Sequence, residues 1–316
     1  MSTNHNSNRS LDLVCLGEPM VEFNSTQAGI FIQGIGGDTS NCAVSAARQG
    51  ARVGYLTSIG DDSFGDSLIK LWNHEGIDVS AVQRSNTAQT GVYFVTHNDN
   101  GHHFTYYRQG SAASCMSTDD LDEASISRAH ILHVSAISQA ISKSASDTVL
   151  AAIDIANHHG TLISYDTNLR LNLWPLEQAR KVTHEAMKKC PIALPGYDDA
   201  RELCGESDPD RIVDFYLDLG AEIVVLKLGD RGVKLHSKGE RFDVAGFKVD
   251  SIDANAAGDT FAGAFLAIFA RNRNALLATR YANAAAALST CRSGAVTSIP
   301  QRNEVEAFLQ KLEAKS

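Results

Sequence analysis

No stretch of the 316-residue chain stays apolar for long enough to cross a membrane as a helix. No signal-type apolar segment follows its first residues either, so the expected location is the cytoplasm. The six cysteines, Cys15, Cys42, Cys115, Cys190, Cys204 and Cys291, contain no Cys-x-x-Cys pair. They read as reduced and mostly buried thiols. A net charge of −9 lacks the positive surplus of a nucleic-acid surface. There is no G-x-x-x-x-G-K-[ST] loop and no G-x-S-x-G elbow, which excludes a P-loop kinase and gives no sign of a serine-hydrolase nucleophile. Gly34-Ile35-Gly36-Gly37 lacks the third-glycine spacing of a dinucleotide fingerprint and does not directly follow the first strand. The pairs His102-His103 and His158-His159 are adjacent, so neither places two rings on one face as a metal site needs.

What remains is a globular composition, 43 % hydrophobic and 21 % charged, with enough apolar residues for a substantial core. Residues 1–10 are polar and read as a flexible tail, and residues 11–316 read as one domain. Leu11–Leu16 reads as a buried opening strand. Met20–Phe23 and Ile30–Ile35 are short and β-prone, and Thr39–Gln49 suits a tightly packed helix ending at Gly50. Val53–Ile59 follows as a strand, with a helix around Ser67–His74. Thr90–Thr96 and Phe104–Arg108 read as strands paired about the turn Asn98-Asp99-Asn100-Gly101. Period 2 puts Phe104, Tyr106 and Arg108 on one face, with Thr105 and Tyr107 on the other.

From residue 130 strands and helices alternate: His130–Val134, Ser144–His158, Thr161–Tyr165, Glu177–Lys189, Ile192–Leu194 and Ile223–Leu228. A hairpin over Val233–His236 and Arg241–Val244 precedes helices at Ala257–Arg271, Ala275–Cys291 and Glu304–Ala314. This alternation predicts an α/β fold with a mostly parallel central sheet and helices on both faces. The segments at about 18–35 and 90–110 form a small β excursion. Glu18, Ser135, Asp166, Asn168, Arg170, Asp199 and Gly229 mostly follow predicted strands, and one cleft at the strand ends should gather them.

The stretch Asp253-Ala254-Asn255-Ala256-Ala257-Gly258-Asp259 leads into an apolar run, Phe261, Phe265, Ile268 and Phe269, spaced as a helix buried on one face. Ala256 to Asp259 should form its first turn, where unpaired N–H groups favour an anion and small side chains let a phosphate approach. Asp259 stands beside that cradle as a general base, and the helix start should keep it ionised at neutral pH. Cradle and carboxylate together suit phosphoryl transfer to an alcohol. Close helix packing and simple helix capping are the competing readings of the same residues. Arg108 and Arg170, from distant segments, should reach one cleft and could recognise a carboxylate or phosphate.

With Gly36-Gly37-Asp38-Thr39-Ser40-Asn41 and Asp253–Gly263 both in view, the sequence resembles the ribokinase-like (PfkB) family of sugar kinases from about Leu11 to the last helix. Within it, Gly17-Glu18-Pro19-Met20, Gly37-Asp38-Thr39, Tyr106–Ala112 and Asp166–Leu171 look most like 2-keto-3-deoxygluconate kinases. The resemblance implies that Gly37, Asn41, Tyr93, Tyr106, Arg108 and Arg170 hold a sugar acid, with both arginines on its carboxylate. It implies that Asp259 deprotonates the terminal hydroxyl while the backbone of Ala256, Ala257 and Gly258 forms the anion hole. ATP with Mg2+ would lie over Lys227, Gly229, Gly232, Gly258 and Asn283. The β excursion would serve as a lid and as the contact of a homodimer or higher homo-oligomer.

Two positions depart from the family pattern. Ala256 replaces the first glycine of the late motif, at little cost if its φ is negative. The N-x-x-E segment appears as Gly196-Tyr197-Asp198-Asp199, which leaves Asp199 to organise Mg2+ through water. A monovalent cation such as K+ could sit near Asp253. The expected reaction is ATP-dependent phosphorylation of the 6-hydroxyl of 2-keto-3-deoxy-D-gluconate. The alternatives are a fructokinase-like enzyme, a kinase for a related keto-deoxy acid, and a non-catalytic sugar-acid sensor.

Overall fold

The computed structural model describes residues 9–98 and 101–314. Most of the expected tail, and Asp99 and Asn100 of the expected turn, lie outside the described residues. The chain opens with β1 (Leu11–Leu16), β2 (Met20–Gln27) and β3 (Ile30–Gly36), then α1 (Asp38–Arg48), β4 (Val53–Gly60), α2 (Ser63–His74) and β5 (Val82–Ser85). The pair β6 (Val92–Asn98) and β7 (Gly101–Tyr107) follows, then α3 (Glu123–Ser127), β8 (Ala129–Ser135), α4 (Ala136–Ala140) and α5 (Lys143–His158). Next come β9 (Leu162–Asp166), α6 (Leu176–Met187), β10 (Ile192–Ala193), α7 (Tyr197–Cys204), α8 (Pro209–Asp218) and β11 (Ile223–Lys227). The hairpin β12 (Val233–Ser237) and β13 (Glu240–Val244) leads to α9 (Ala257–Asn272), α10 (Ala275–Ser289) and α11 (Arg302–Glu313).

Nine strands form one sheet in the order β13-β12-β11-β10-β9-β8-β1-β4-β5. It is parallel from β11 to β5, and only the β12–β13 hairpin at one edge runs antiparallel. Chain order turns around at β1, which has β4 on one side and β8 on the other. In a parallel sheet of this kind the crevice opens beyond the carboxyl ends of the strands near that point. Both faces are covered, so β1 is buried throughout, with Leu13 and Cys15 in one core and Val14 and Leu16 in the other. One core holds α1, α9 and α10, and the other holds α5, α6 and α8.

A separate four-stranded sheet, β3-β2-β6-β7, stands over the strand ends. Its cleft-side face carries Tyr93 and Tyr106, whose rings lie 5.6 Å apart, and Arg108 follows β7 on the same side. Sequence patterning missed β5, α3, α4, α7 and α8. Of these, α8 carries local start signals, with Asp208 accepting a hydrogen bond from the Asp210 N–H and Pro209 in the first turn. Among the described residues no helix is long and apolar enough to cross a membrane.

Candidate active site

A cleft of about 1110 Å3 lies between the two sheets, large enough for two small ligands side by side. Its wall includes Glu18, Gly37, Asn41, Tyr93, Tyr106, Arg108, Asp166, Asn168, Arg170, Asp199, Lys227, Gly229, Ala256, Gly258 and Asp259. Ser135 is absent from it, because its hydroxyl caps α4 by accepting from the Ser138 N–H. Gly232 and Asn283 also stand off the wall. A side chain on Gly232 would collide with the Val244 carbonyl, and Asn283 Nδ2 donates to the Val244 and Ala245 carbonyls at 3.4 and 3.3 Å. Both pack against the chain after β13.

The two glycine-rich motifs meet through α1 and α9. Gly263 makes that approach feasible, since a Cβ there would stand 2.2 Å from the Cys42 carbonyl. Ser45 Oγ donates to the Thr260 carbonyl at 2.8 Å, and Asn41 Nδ2 donates to Asp259 Oδ2 at 2.9 Å. A contact spanning 218 residues thus holds the candidate base in one orientation. Asn41 Oδ1, also buried, has no partner.

Asp259 corrects the expectation of a permanently ionised carboxylate. Burial raises its pKa to about 7, followed by the like charge of Asp38, while the Asn41 hydrogen bond pulls the other way. Desolvation and like charge outweigh the helix start and raise the proton affinity of this carboxyl. That affinity suits a group that must take a proton from an alcohol near neutrality.

The helix start also differs from expectation. Ala256 caps α9 with φ +57°, a left-handed conformation that disfavours any residue with a Cβ. The Ala257 N–H is committed to the Ala254 carbonyl at 3.2 Å. The N–H groups left without a partner belong to Ala256, Gly258 and Asp259, and these are the donors available to an anion. Lys227 Nζ approaches them, 3.8 Å from where a Cβ on Gly258 would stand, while also bound to Asp166 at 2.6 Å.

The two arginines are held differently. Arg108 donates to Glu18, whose side chain is fully buried and also accepts from Ser111 Oγ at 2.8 Å. Burial raises the Glu18 pKa against the pull of Arg108. Arg170 is exposed at the cleft, and its Nη1 donates only to the adjacent Leu169 carbonyl at 2.8 Å. Among the described residues no carboxylate lies within ion-pair distance of it. Tyr93 Oη donates to the buried Glu22 at 2.5 Å, and Gly36 leaves room for that ring, because a Cβ there would meet Tyr93 Oη at 2.4 Å. Gly37, at φ +104°, starts α1 against the Glu18 carbonyl.

Asp199 accepts from the Leu169 N–H at 3.1 Å, and burial raises its pKa. Among the described residues no group of three or more His, Cys, Asp or Glu is placed to hold a metal ion. A lone carboxylate beside an anion cradle fits an ion such as Mg2+, which keeps several waters and binds phosphates. Asp38 and Glu22 are site residues to which the sequence alone gave no role. Asp38 lies inside a quoted motif, but only the fold shows which way its carboxylate faces.

The pfkB family carbohydrate kinase profile matches residues 10–302. A 2-dehydro-3-deoxygluconokinase of Thermoproteus tenax is 32 % identical, over 96 % of this chain and 95 % of its own. A probable fructokinase-4 of Arabidopsis thaliana is 30 % identical, over 96 % and 98 %. A putative ribokinase II from E. coli, solved in complex with ATP and Mg2+, superposes with a TM-score of 0.87 at 27 % identity, covering 95 % of this chain and 99 % of that one. The chain therefore belongs to the PfkB family of carbohydrate kinases and has its ribokinase-like fold.

Proposed function

We propose that the protein transfers the γ-phosphoryl group of ATP to the 6-hydroxyl of 2-keto-3-deoxy-D-gluconate, giving 2-keto-3-deoxy-6-phosphogluconate and ADP. The observation that carries this reading is the cleft itself: an Asn41-held carboxylate beside three free N–H groups, with an uncommitted Arg170 on the same wall. Asp259 Oδ accepts the proton of the hydroxyl as its oxygen bonds to the γ-phosphorus and the bond to the ADP oxygen breaks. The N–H groups of Ala256, Gly258 and Asp259, with Lys227, face the charge on the transferring group. Arg170, joined by Arg108, takes the substrate carboxylate, and Tyr93 and Tyr106 line the sugar. Gly229 and Gly258 border the nucleotide, and Mg2+, held through water by Asp199, screens the phosphate charges when bound.

A fructokinase is the second reading. Arg108 is already neutralised by Glu18, which a neutral sugar would tolerate, and plant fructokinases are as similar to this chain as the acid kinases are. A coupled ADP-release assay over sugar acids, their galactonate epimer, fructose and ribose decides between them, run with and without Mg2+ and K+. Turnover of fructose or ribose without turnover of the keto-deoxy acid would overturn the first reading. K+ dependence would support a monovalent site by Asp253.

Pairing of two copies through the small sheet belongs to the same proposal. Ile30, Phe31, Ile32, Phe104 and Tyr107 expose large apolar surface there. Sedimentation of the wild-type protein as a monomer would remove it.

A further inference from the structure

Asp38 lies in the first turn of α1, on the cleft wall next to Asn41 and Asp259. Its Oδ2 accepts a hydrogen bond at 3.3 Å from Nδ2 of Asn168, which follows β9. That bond fixes the carboxylate plane. Its Oδ1 is shielded from solvent and has no donor. Three residues on, Asn41 is 4 % exposed and presents a second unpartnered oxygen, Oδ1, to the same wall. Residues three apart share one side of a helix, so both acceptors belong to one patch.

An acceptor shut away from water without a donor destabilises a fold, and a charged one does so more. Two such oxygens on the wall of an open cleft call for donors from a ligand. Of the cations on this wall, Lys227 is paired with Asp166 and Arg108 with Glu18, and Arg170 donates to the Leu169 carbonyl and makes no ion pair with Asp38. Phosphate offers no donor and would be repelled by a carboxylate. A polyhydroxylated ligand supplies donors of the right kind.

We propose that Asp38 is a second sugar-binding carboxylate, whose Oδ1 accepts a hydroxyl of the substrate near the one that Asp259 deprotonates. The acid or carbonyl end of the sugar then lies towards Arg170 and Arg108, away from Asp38. This placement discriminates against sugars lacking that hydroxyl, since its absence leaves a buried carboxylate oxygen unpaired. A second consequence concerns the base. The charged and titratable groups about Asp259 are Asp38 on α1, Asp166 after β9, Lys227 on β11 and Tyr93 on β6. Asp38 is the strongest charge among them in raising its proton affinity.

The inference rests on the cleft being a sugar-kinase site, but not on which sugar it takes. Asp38→Asn is therefore assayed with whichever sugar the wild-type enzyme phosphorylates, so a failed substrate assignment leaves this test intact. Sugar KM should rise on the order of tenfold, as expected for one lost charge-assisted hydrogen bond, while ATP KM changes less than twofold. The acid limb of kcat/KM should also move to lower pH, because removing the neighbouring charge lets Asp259 ionise more easily. A purely structural Asp38 would instead raise both KM values together, and that result overturns the proposal. If Asp38→Asn does not fold, Asn168→Ala frees the same carboxylate. Sugar KM should again rise with ATP KM unchanged, and an unchanged sugar KM overturns it.

Discussion

At the Asp259 end of the cleft the groups open to a ligand are backbone N–H, fixed by the start of α9. At the arginine end they are side chains, Arg108 and Tyr106 from the small sheet and Arg170 from the loop after β9. Under the proposed function the first end serves the phosphoryl group, and Asp38 adds to it the reading of one sugar hydroxyl. The second can change its substrate by changing a side chain, without disturbing the parallel core. That division accounts for a shared scaffold among relatives named for different sugars.

The comparison is broken most severely at the phosphoryl end. Asp259→Asn removes the proton acceptor and should lower kcat by about 10^3-fold in the ADP-release assay. A sugar-acid sensor would keep its ligand affinity and show no turnover in either form. The same substitution should stabilise the fold above neutrality. The folded carboxyl holds its proton up to about pH 7, well above the unfolded value of 3.8, so the cost of ionising it is absent below pH 4 and complete above pH 7. Asn at this position escapes a penalty on the order of a few kcal/mol, so its melting temperature should exceed wild type at pH 8 and converge with it towards pH 4.

The sugar end should respond through KM. Arg170→Ala removes an exposed, uncommitted guanidinium and should raise KM for an acid substrate by about 10- to 100-fold with little change in melting temperature. For a neutral sugar the change should be slight. Arg108→Ala leaves Glu18 buried and unpaired, so it should destabilise the fold by about 3–5 kcal/mol whatever the substrate. Thermal melts of the two variants separate binding from support. Equal losses of stability would deny the difference between the two arginines.

The large sheet was readable in the sequence because apolar runs separated by helical periodicity repeat over most of the chain. Each glycine-rich motif could also be read as local chemistry. Three things were not legible. The Ala257 N–H is consumed by the Ala254 carbonyl, a matter of loop geometry. The basicity of Asp259 depends on Asp38, 221 positions earlier, and only the packing of α1 on α9 brings their charges together. The partnering of Arg108 by Glu18 crosses from the small sheet to the end of β1. Short elements such as β5 and α7 escaped for lack of enough residues to show a period.

Ala256 gives the smallest effect and the sharpest contrast between the two ends. Its φ of +57° places a methyl in a region that costs an L-residue about 1–2 kcal/mol, and its N–H is one of the three left without a partner. Ala256→Gly relieves that strain, while the unfolded chain gains freedom worth about 0.4–1 kcal/mol in the opposite sense. The net gain should be up to about 1 kcal/mol, a rise of roughly 2 °C in melting temperature for a chain of this size. Since glycine keeps the same backbone φ, kcat should stay within about twofold and sugar KM should not move. A large rise in kcat would mean that the methyl obstructs the phosphoryl group, and that the backbone of this helix start is less well placed than the free N–H groups of Ala256, Gly258 and Asp259 indicate.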